Sequence, residues 1–540
     1  MLFSVTVLMT KRKRLNVLIE KQTISQSFSW KLSVFLKAYK LESHVFLSIL
    51  AESIMASKDA NSSDNASRLD HTVKGLSNNV KVALVNPPLI EKVYHHPFFP
   101  PLGLAYLAAV LEQRGFEVNI YDCPVLEMNQ KNLRNKLSDF QPDFVGIASM
   151  TPTIPSALQS ARVAKEACPN CRVILGGPHV SFADKEVLTE EKSVDIVVRG
   201  EGEETLLEIV QQHQERRNLI KVSGITFRYD DQIIRCTDRP FIQNLDSLPF
   251  PAYHYLPIEK YRIYGKRFLP IMTSRGCPFQ CSFCVASQMF GAKFRARTPK
   301  NVVDELEWLK EKYGADGVSF HDDTLTLDKQ RIIRICDEII NRKIGLPWGC
   351  QTRVDTVDRE VLSKMRKANC NEVSFGVESG CQRILDAVKK RISIEQCEKA
   401  IKMAKEEGLF VAVSTIIGYP GETQESIIQT LDLIRRIEPD DAWLCIATPY
   451  PGTELRALIE SMGWKISNDW TLYNTMNPVF ENPRVSSDQL SKIRRVFYDN
   501  LYTPKYVFRQ FVKGYIRGNF YSKIMTRTAM NYIIWKNTKD

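Results

Sequence analysis

A chain of 540 residues that is 44% hydrophobic and 25% charged has ordinary globular composition for two or three domains, which excludes a single small binding module. Its longest apolar run near the start of the patterned part, Gly103 to Leu111, is far short of the ~20 residues a spanning helix needs, so no integral membrane segment is expected. The net charge of +11 sits at the ends: residues 1–54 carry eight Lys or Arg against three Asp or Glu and residues 503–540 eight against one, leaving a nearly neutral body.

At the start of the chain, residues 1–9 are apolar but precede Lys11-Arg12-Lys13-Arg14, the reverse of a signal peptide's order, so no secretory leader is expected. Thirteen Cys without even spacing then point to a reducing interior, with thiols serving as core residues or ligands rather than disulfides. Residues 56–79 are rich in Ser, Asn and Asp, the composition of a disordered lead-in. Met55 just before them is a candidate start of translation, so residues 1–79 read as a disordered or variable extension.

From Val80 short β-rich runs (82–85, 118–120, 144–147, 173–175, 196–198) alternate with helical stretches (104–113, 131–139, 156–167). That alternation predicts a Rossmann-like α/β domain over 80–215, whose ligand loops follow Val85, Ile147, Leu175 and Val198. Residues 216–265 read as a hairpin and a proline-punctuated linker. Six further strands at about 268–274, 317–321, 347–352, 372–377, 409–417 and 441–447, all but the last followed by a helix, predict a partial (βα)6 TIM-type barrel over 266–465. Residues 466–540 are mainly helical, with basic and aromatic residues repeating from Lys505 to Lys536. Such a tail suits a helical cap on the barrel, with a membrane interface as the other reading.

Right after the first barrel strand stands Cys277-Pro-Phe-Gln-Cys281-Ser-Phe-Cys284. Three thiolates on one loop hold three irons of a [4Fe–4S] cube and leave the fourth open. Structural zinc is the other reading, but zinc wants four ligands, and the nearest other candidates are Cys236, Cys336 and His254. Cys168-Pro-Asn-Cys171, lacking a second pair, reads as thiols lining a turn.

The C-x₃-C-x₂-C run with Phe283 before its last Cys, opening a partial barrel, resembles the radical S-adenosylmethionine (SAM) superfamily. The resemblance implies that the open iron chelates SAM and that one electron from an external low-potential donor releases a 5′-deoxyadenosyl radical. It implies SAM contacts at Phe283, at Asp322 and Asp323 after the second strand, at Glu378 and Ser379 after the fourth, and at Ile416 and Gly418 after the fifth. The N-terminal domain resembles the cobalamin-binding domain of the B12-dependent branch, with expected contacts at Leu102, Gly103, Ser149, Thr151, Gly176, Gly177, His179, Gly200, Glu201 and Gly202. Small residues there let a planar macrocycle and its nucleotide tail approach the backbone. The Asp-x-His-x-x-Gly motif that ligates cobalt in other cobalamin domains is absent, and Asn86-Pro-Pro stands in its place. No His ligand is therefore expected from that motif, and His95, His96 and His179 read as packed or solvated.

The implied activity is methylation of an unreactive carbon by a cytoplasmic enzyme, with cyclisation or oxidation of a lipid or tetrapyrrole as the alternative, since magnesium-protoporphyrin ester cyclases, hopanoid methylases and archaeal tetraether-lipid ring synthases share the architecture. A non-catalytic cobalamin or cluster protein is the alternative from another class. A small-molecule or lipid substrate is expected, with peripheral contact at the inner membrane face through 503–540 and no nucleic-acid partner.

Overall fold

The computed structural model describes residues 80–89, 99–212, 216–230, 232–263, 265–516 and 518–537. The extension 1–79 with Met55, together with His95 and His96, lies outside these residues. The first sheet holds β1 (Lys81–Asn86), β2 (Glu117–Asp122), β3 (Phe144–Ala148), β4 (Arg172–Gly176), β5 (Ile196–Val198), β6 (Ile225–Tyr229) and β7 (Gln232–Arg235) in the order 2-1-3-4-5-6-7. Strands β1 to β5 are parallel, and the hairpin β6–β7 pairs antiparallel with β5 and closes that edge. Strand alternation sorts β1 into two layers: Val82 and Leu84 join one core, Ala83 and Val85 the other.

Helices α1 (Leu102–Glu112), α2 (Gln130–Phe140), α3 (Ile154–Ala167), α4 (Pro178–Phe182), α5 (Asp184–Glu190) and α6 (Glu203–Gln211) cover its faces. Cys168 and Cys171 are buried at the α3–β4 turn, where their thiols donate to Leu137 O and Ala164 O.

The second sheet is fully parallel and runs β8 (Phe268–Ile271), β11 (Gly317–Phe320), β12 (Trp348–Thr352), β13 (Cys370–Glu378), β14 (Phe410–Ile417) and β15 (Asp441–Ile446) in spatial order. Between β8 and β11 a two-stranded ribbon, β9 (Ser274–Arg275) and β10 (Arg295–Ala296), brackets the Cys loop and the short α7 (Ala286–Met289). Around the barrel lie α8 (Pro299–Tyr313), α9 (Lys329–Asn341), α10 (Arg359–Lys367), α11 (Gln382–Ala387), α12 (Ile394–Glu406), α13 (Gln424–Ile437) and α14 (Glu454–Ser461). Six of these helices open on a side-chain cap, from Thr298, Asp328, Asp358, Ser393, Thr423 and Thr453 in turn. Each cap satisfies an orphan N–H where a strand-end loop turns into a helix.

The tail, α15 (Ser487–Leu501), α16 (Pro504–Phe511) and α17 (Phe520–Asn537), closes the bottom of the barrel. Phe520 stacks on Phe268 at 5.1 Å and Tyr521 packs against Phe410 at 5.7 Å, both partners lying at the entry ends of their strands. Tyr506 Oη donates to Asp440 O at 2.5 Å, and Lys513 pairs with the Asp440 carboxylate. Capping is therefore a role of the tail. Phe508 and Ile516 nevertheless remain 66% and 71% exposed. A cavity of about 380 Å³ among α13, α15 and α16 opens at this same bottom end, away from the Cys loop. No helix among the described residues is long and apolar enough to cross a membrane.

Candidate active site

The Cys loop leaves the barrel through Gly276 at φ +87°, where a side chain would sit 2.9 Å from Gly291 O. This return forces glycine, because Cys277 N donates to Gly291 O at 3.1 Å across the same gap. Farther along, Ser282 N reaches Val388 O at 3.0 Å and Leu455 N reaches Ser282 O at 2.8 Å, pinning the loop to the barrel mouth. All thirteen Cys are free thiols. Burial pushes Cys284 up to about 12, and it raises Cys281 as well, against the opposing pull of Lys390 and Arg353.

Two buried thiols and one half-buried thiol on one loop fit an iron cluster, whose irons supply the positive charge that thiolates need. Ala286 N donates to Cys284 Sγ at 3.5 Å and Arg353 Nη1 to Cys281 Sγ at 3.9 Å, contacts that suit sulfur carrying negative charge. Among the described residues no three His, Cys, Asp or Glu side chains converge as a single metal ion requires. Thiolates that each take a separate iron need not converge.

The expected SAM residues divide by what they already hold. Asp322 is buried and accepts from Thr273 N at 3.2 Å, Thr273 Oγ1 at 2.7 Å and Ser274 Oγ, so it fastens the exit of β8 to β11 instead of facing the cleft. Asp323, next in sequence, is solvent-accessible, its charge acts on Cys284, and it is pushed up to about 6 by desolvation and by the Asp322 charge. Ser379 is also committed to protein, accepting from Cys381 N at 3.1 Å and lying 3.2 Å from Thr430 Oγ1.

Glu378 sits at φ +65° on a bulge of β13 and is paired to Lys390 Nζ at 2.7 Å, with both side chains buried. Ile416 and Phe283 are half-buried in one cluster with Tyr419, whose ring lies 5.9 Å from that of Phe283. Gly418, at φ +90°, and Tyr419 donate their N–H groups to the buried Glu422 carboxylate, which burial pushes up to about 7. Glu422 Oε1 and Tyr419 Oη have no protein partner.

On the N-terminal side, Ser149 donates from Oγ to Gly176 O at 3.0 Å. Gly177, at φ +115°, lies so close that a side chain would stand 2.6 Å from Ser149 O. Its glycine is thus required by the protein's own backbone, where closeness to a nucleotide tail was the sequence-based expectation. Gly176 meets only ordinary contacts, and exposed Gly103 has nothing within 4 Å of where a side chain would begin. Leu102 is half-buried, Met150 is 54% exposed and Gly200 has φ +69°.

Thr151 and His179 are buried together, Nδ1 lying 3.3 Å from Thr151 Oγ1, and His179 packs edge-on against Trp470 at 4.9 Å. Burial, aided by Arg456, lowers His179 to about 4, so the ring is neutral near pH 7. Gly202 is confined by Leu107, 3.2 Å from a built side chain. Glu201 is held by the protein itself. It is buried and consumed by Arg275 at 3.0 Å and Arg295 at 2.9 Å.

Arg353 escaped the sequence reading, and so did the contacts of Asn86 and Phe99. Arg353 lies over the Phe279 ring at 3.6 Å and is held by Asp355 at 2.8 Å; its place just after a barrel strand was the available signal. Asn86 Nδ2 donates to Asp122 Oδ1 at 2.8 Å, and Tyr261 donates to the other oxygen. The loop where a cobalt-ligating His motif begins elsewhere is thus tied to β2. Phe99 meets His321 at 5.0 Å, joining the N-terminal domain to the barrel mouth; burial lowers His321, against the pull of Asp322.

Comparison with known proteins agrees with this geometry. The Radical SAM superfamily model matches residues 271–434 and the B12 binding domain model residues 96–210. The chain is 36% identical to an uncharacterized methyltransferase of Pyrococcus horikoshii, over 81% of this chain and 98% of that one. It is 33% identical to an anaerobic magnesium-protoporphyrin IX monomethyl ester cyclase of Rubrivivax gelatinosus, over 75% of each. It is 30% identical to a cytidylyl-2-hydroxyethylphosphonate methyltransferase of Streptomyces wedmorensis, over 69% and 80%. In fold it is similar to the radical SAM methyltransferase TsrM of Kitasatospora setae (TM-score 0.61, 20% identity, 71% and 75% covered). It is also similar to the cobalamin-dependent radical SAM enzyme OxsB (TM-score 0.65, 16% identity, 84% and 71% covered).

Proposed function

The chain belongs to the radical SAM superfamily, in the branch with a B12-binding domain ahead of the barrel, and from that premise we propose that it methylates an unreactive carbon of a small-molecule or lipid substrate. The observation that supports this reading is that the N-terminal domain and the barrel belong to one compact unit, in contact at the Cys loop's own stems through Glu201 with Arg275 and Arg295, and at Phe99–His321.

When bound, the cluster with SAM supplies a hydrogen-abstracting radical, and cobalamin supplies a transferable methyl group. The chain's own residues do the rest. Cys277, Cys281 and Cys284 bind iron, Arg353 and Lys390 offset negative charge beside Cys281, and Asp323 accepts an N–H of the SAM amino group. Phe283, Ile416 and Tyr419 give the adenosyl part an apolar wall.

Anaerobic reconstitution with iron, sulfide, cobalamin, SAM and a low-potential reductant tests the reading. The wild-type chain is expected to form 5′-deoxyadenosine, and Cys277→Ala, Cys281→Ala and Cys284→Ala to lose both iron and that product. A wild-type chain that binds iron and SAM yet forms none is a sensor or carrier. A product heavier by one CH₂ unit marks methylation, and one lacking two hydrogens marks cyclisation or oxidation.

We also infer peripheral contact with acidic membrane through α16 and the turn that follows it, supported by exposed Phe508, Ile516 and Lys505. Phe508→Ser/Ile516→Ser is expected to abolish flotation with acidic liposomes; equal flotation of variant and wild type refutes the contact. Deleting the tail is unsuitable, because Tyr506 and Tyr521 complete the barrel.

A further inference from the structure

The two stems of the Cys loop are the antiparallel pair β9–β10, in which Arg275 stands directly opposite Arg295. Two guanidiniums side by side in a ribbon repel each other unless an anion lies between them. Glu201, from the loop after β5 of the N-terminal domain, is that anion. Its Oε1 accepts from Arg275 Nη1 at 3.0 Å and from Arg295 Nη1 at 2.9 Å, and its Oε2 accepts from Ile242 N at 2.7 Å. Glu203, at the start of α6, takes the other Arg275 nitrogen at 2.5 Å.

All four side chains are at most 7% exposed. Burial is the largest single influence on Glu203 and pushes it up, but the Arg275 charge and hydrogen bond, joined by the Arg295 charge, together hold the carboxyl below its usual range; burial pulls Arg275 down, and the two glutamates more than offset it. Arg275 also lies over the Tyr106 ring of α1 at 5.8 Å, and Arg295 over Phe241 at 5.0 Å. A buried ion-pair group gives little net stability over an apolar replacement, and its attested use is to fix register between elements. Here it joins the loop beside Gly200, an expected cobalamin contact, to a residue two positions before Cys277.

We propose that Arg275, Arg295, Glu201 and Glu203 form a positioning clamp that sets the separation and orientation of the cobalamin and iron–sulfur sites. None of the four touches the reacting atoms, so they are positioning residues. The inference rests on the function proposed above.

The test uses the full chain loaded with both cofactors. Iron and cobalamin per chain are measured first. Then the magnetic coupling between reduced cluster and cob(II)alamin is read by pulsed electron paramagnetic resonance, together with the ratio of 5′-deoxyadenosine to methylated product. Glu203→Gln, which keeps the Glu201 contacts, is the mild variant, and Glu201→Gln the stronger one. Lys513→Met, which unpairs buried Asp440 at the opposite end of the barrel, is the control for loss of a buried ion pair.

Glu203→Gln is expected to retain both cofactors, to broaden the coupling, and to raise the 5′-deoxyadenosine-to-product ratio about tenfold; Glu201→Gln does the same more strongly, and Lys513→Met changes neither readout. Unchanged coupling in both glutamate variants with full cofactor content overturns the clamp. So does an equal change in Lys513→Met. A wild-type chain that takes up neither cofactor overturns the functional reading instead.

Discussion

Glu372 offers the best-defined perturbation. It lies on β13, paired across the sheet with Gly349 of β12, whose missing side chain leaves room for the Glu372 carboxyl and Tyr521 Oη. Burial first, then the nearby Asp441 charge, pushes Glu372 from its ordinary 4.5 to about 8, against a hydrogen bond from Tyr521 that lowers it. The folded chain therefore holds a proton that the unfolded chain releases above pH ~4.5. Stability falls as pH rises from about 4.5 to about 8 and then levels off. The full shift corresponds to about 5 kcal/mol, and the part of Glu372 still open to water trims this to about 2–4 kcal/mol.

Glu372→Gln keeps an acceptor for Tyr521 and cannot ionise, so this slope disappears. With an unfolding entropy of roughly 1 kcal/mol/K for a chain of this size, the variant's Tm relative to wild type rises by about 2–4 °C between pH 5 and pH 8. Any fixed cost of seating the amide cancels in that comparison. Calorimetric or circular-dichroism melts at both pH values measure it. A Tm difference equal at pH 5 and pH 8, or one that shrinks with pH, refutes the assignment of a proton to Glu372.

Three further outcomes are expected. Wild-type affinity for SAM, measured by calorimetry on the cluster-loaded enzyme, falls about tenfold per pH unit below about 6 as Asp323 takes up a proton, while Asp323→Asn binds weakly and without that pH dependence. Arg353→Met removes a cation and an N–H donor from Cys281 Sγ, so an electron is harder to add, and a redox titration followed by paramagnetic resonance finds a more negative cluster potential. Gly177→Ala puts a side chain 2.6 Å from Ser149 O at a φ of +115°; it costs about 3 kcal/mol or more, seen as a lower Tm and less cobalamin retained per chain.

Much of the fold was legible in the local pattern. Runs such as Val82-Ala-Leu-Val85 and Val173-Ile-Leu175 are strands buried on both faces, and their spacing by helical stretches specifies a parallel sheet. The barrel strands fall where the pattern predicted them, with β13 extended by two residues before its expected start and one beyond its expected end. The hairpin's partner was not legible, because β6 pairs with β5 across a helix and an intervening loop, and antiparallel pairing leaves no local mark of which edge it takes.

The division is sharpest at the site. Sequence alone determined the class of protein and its chemistry: three Cys at loop spacing after a strand, ahead of five further strands, and small residues at the strand ends of a preceding α/β domain. Periodicity of two and near four, and the spacing of ligands on one loop, are short-range properties that a sequence carries openly. Tertiary structure alone decided which of the acidic residues are already committed. Asp322 and Asp323 are the same residue type side by side, yet one is buried against Thr273 and Ser274 and the other is exposed. Glu201, read from sequence as a residue near a cofactor, neutralises Arg275 from 74 positions away. A buried charge is assigned by whichever opposite charge folding brings within about 3 Å, and that pairing is written in no local pattern.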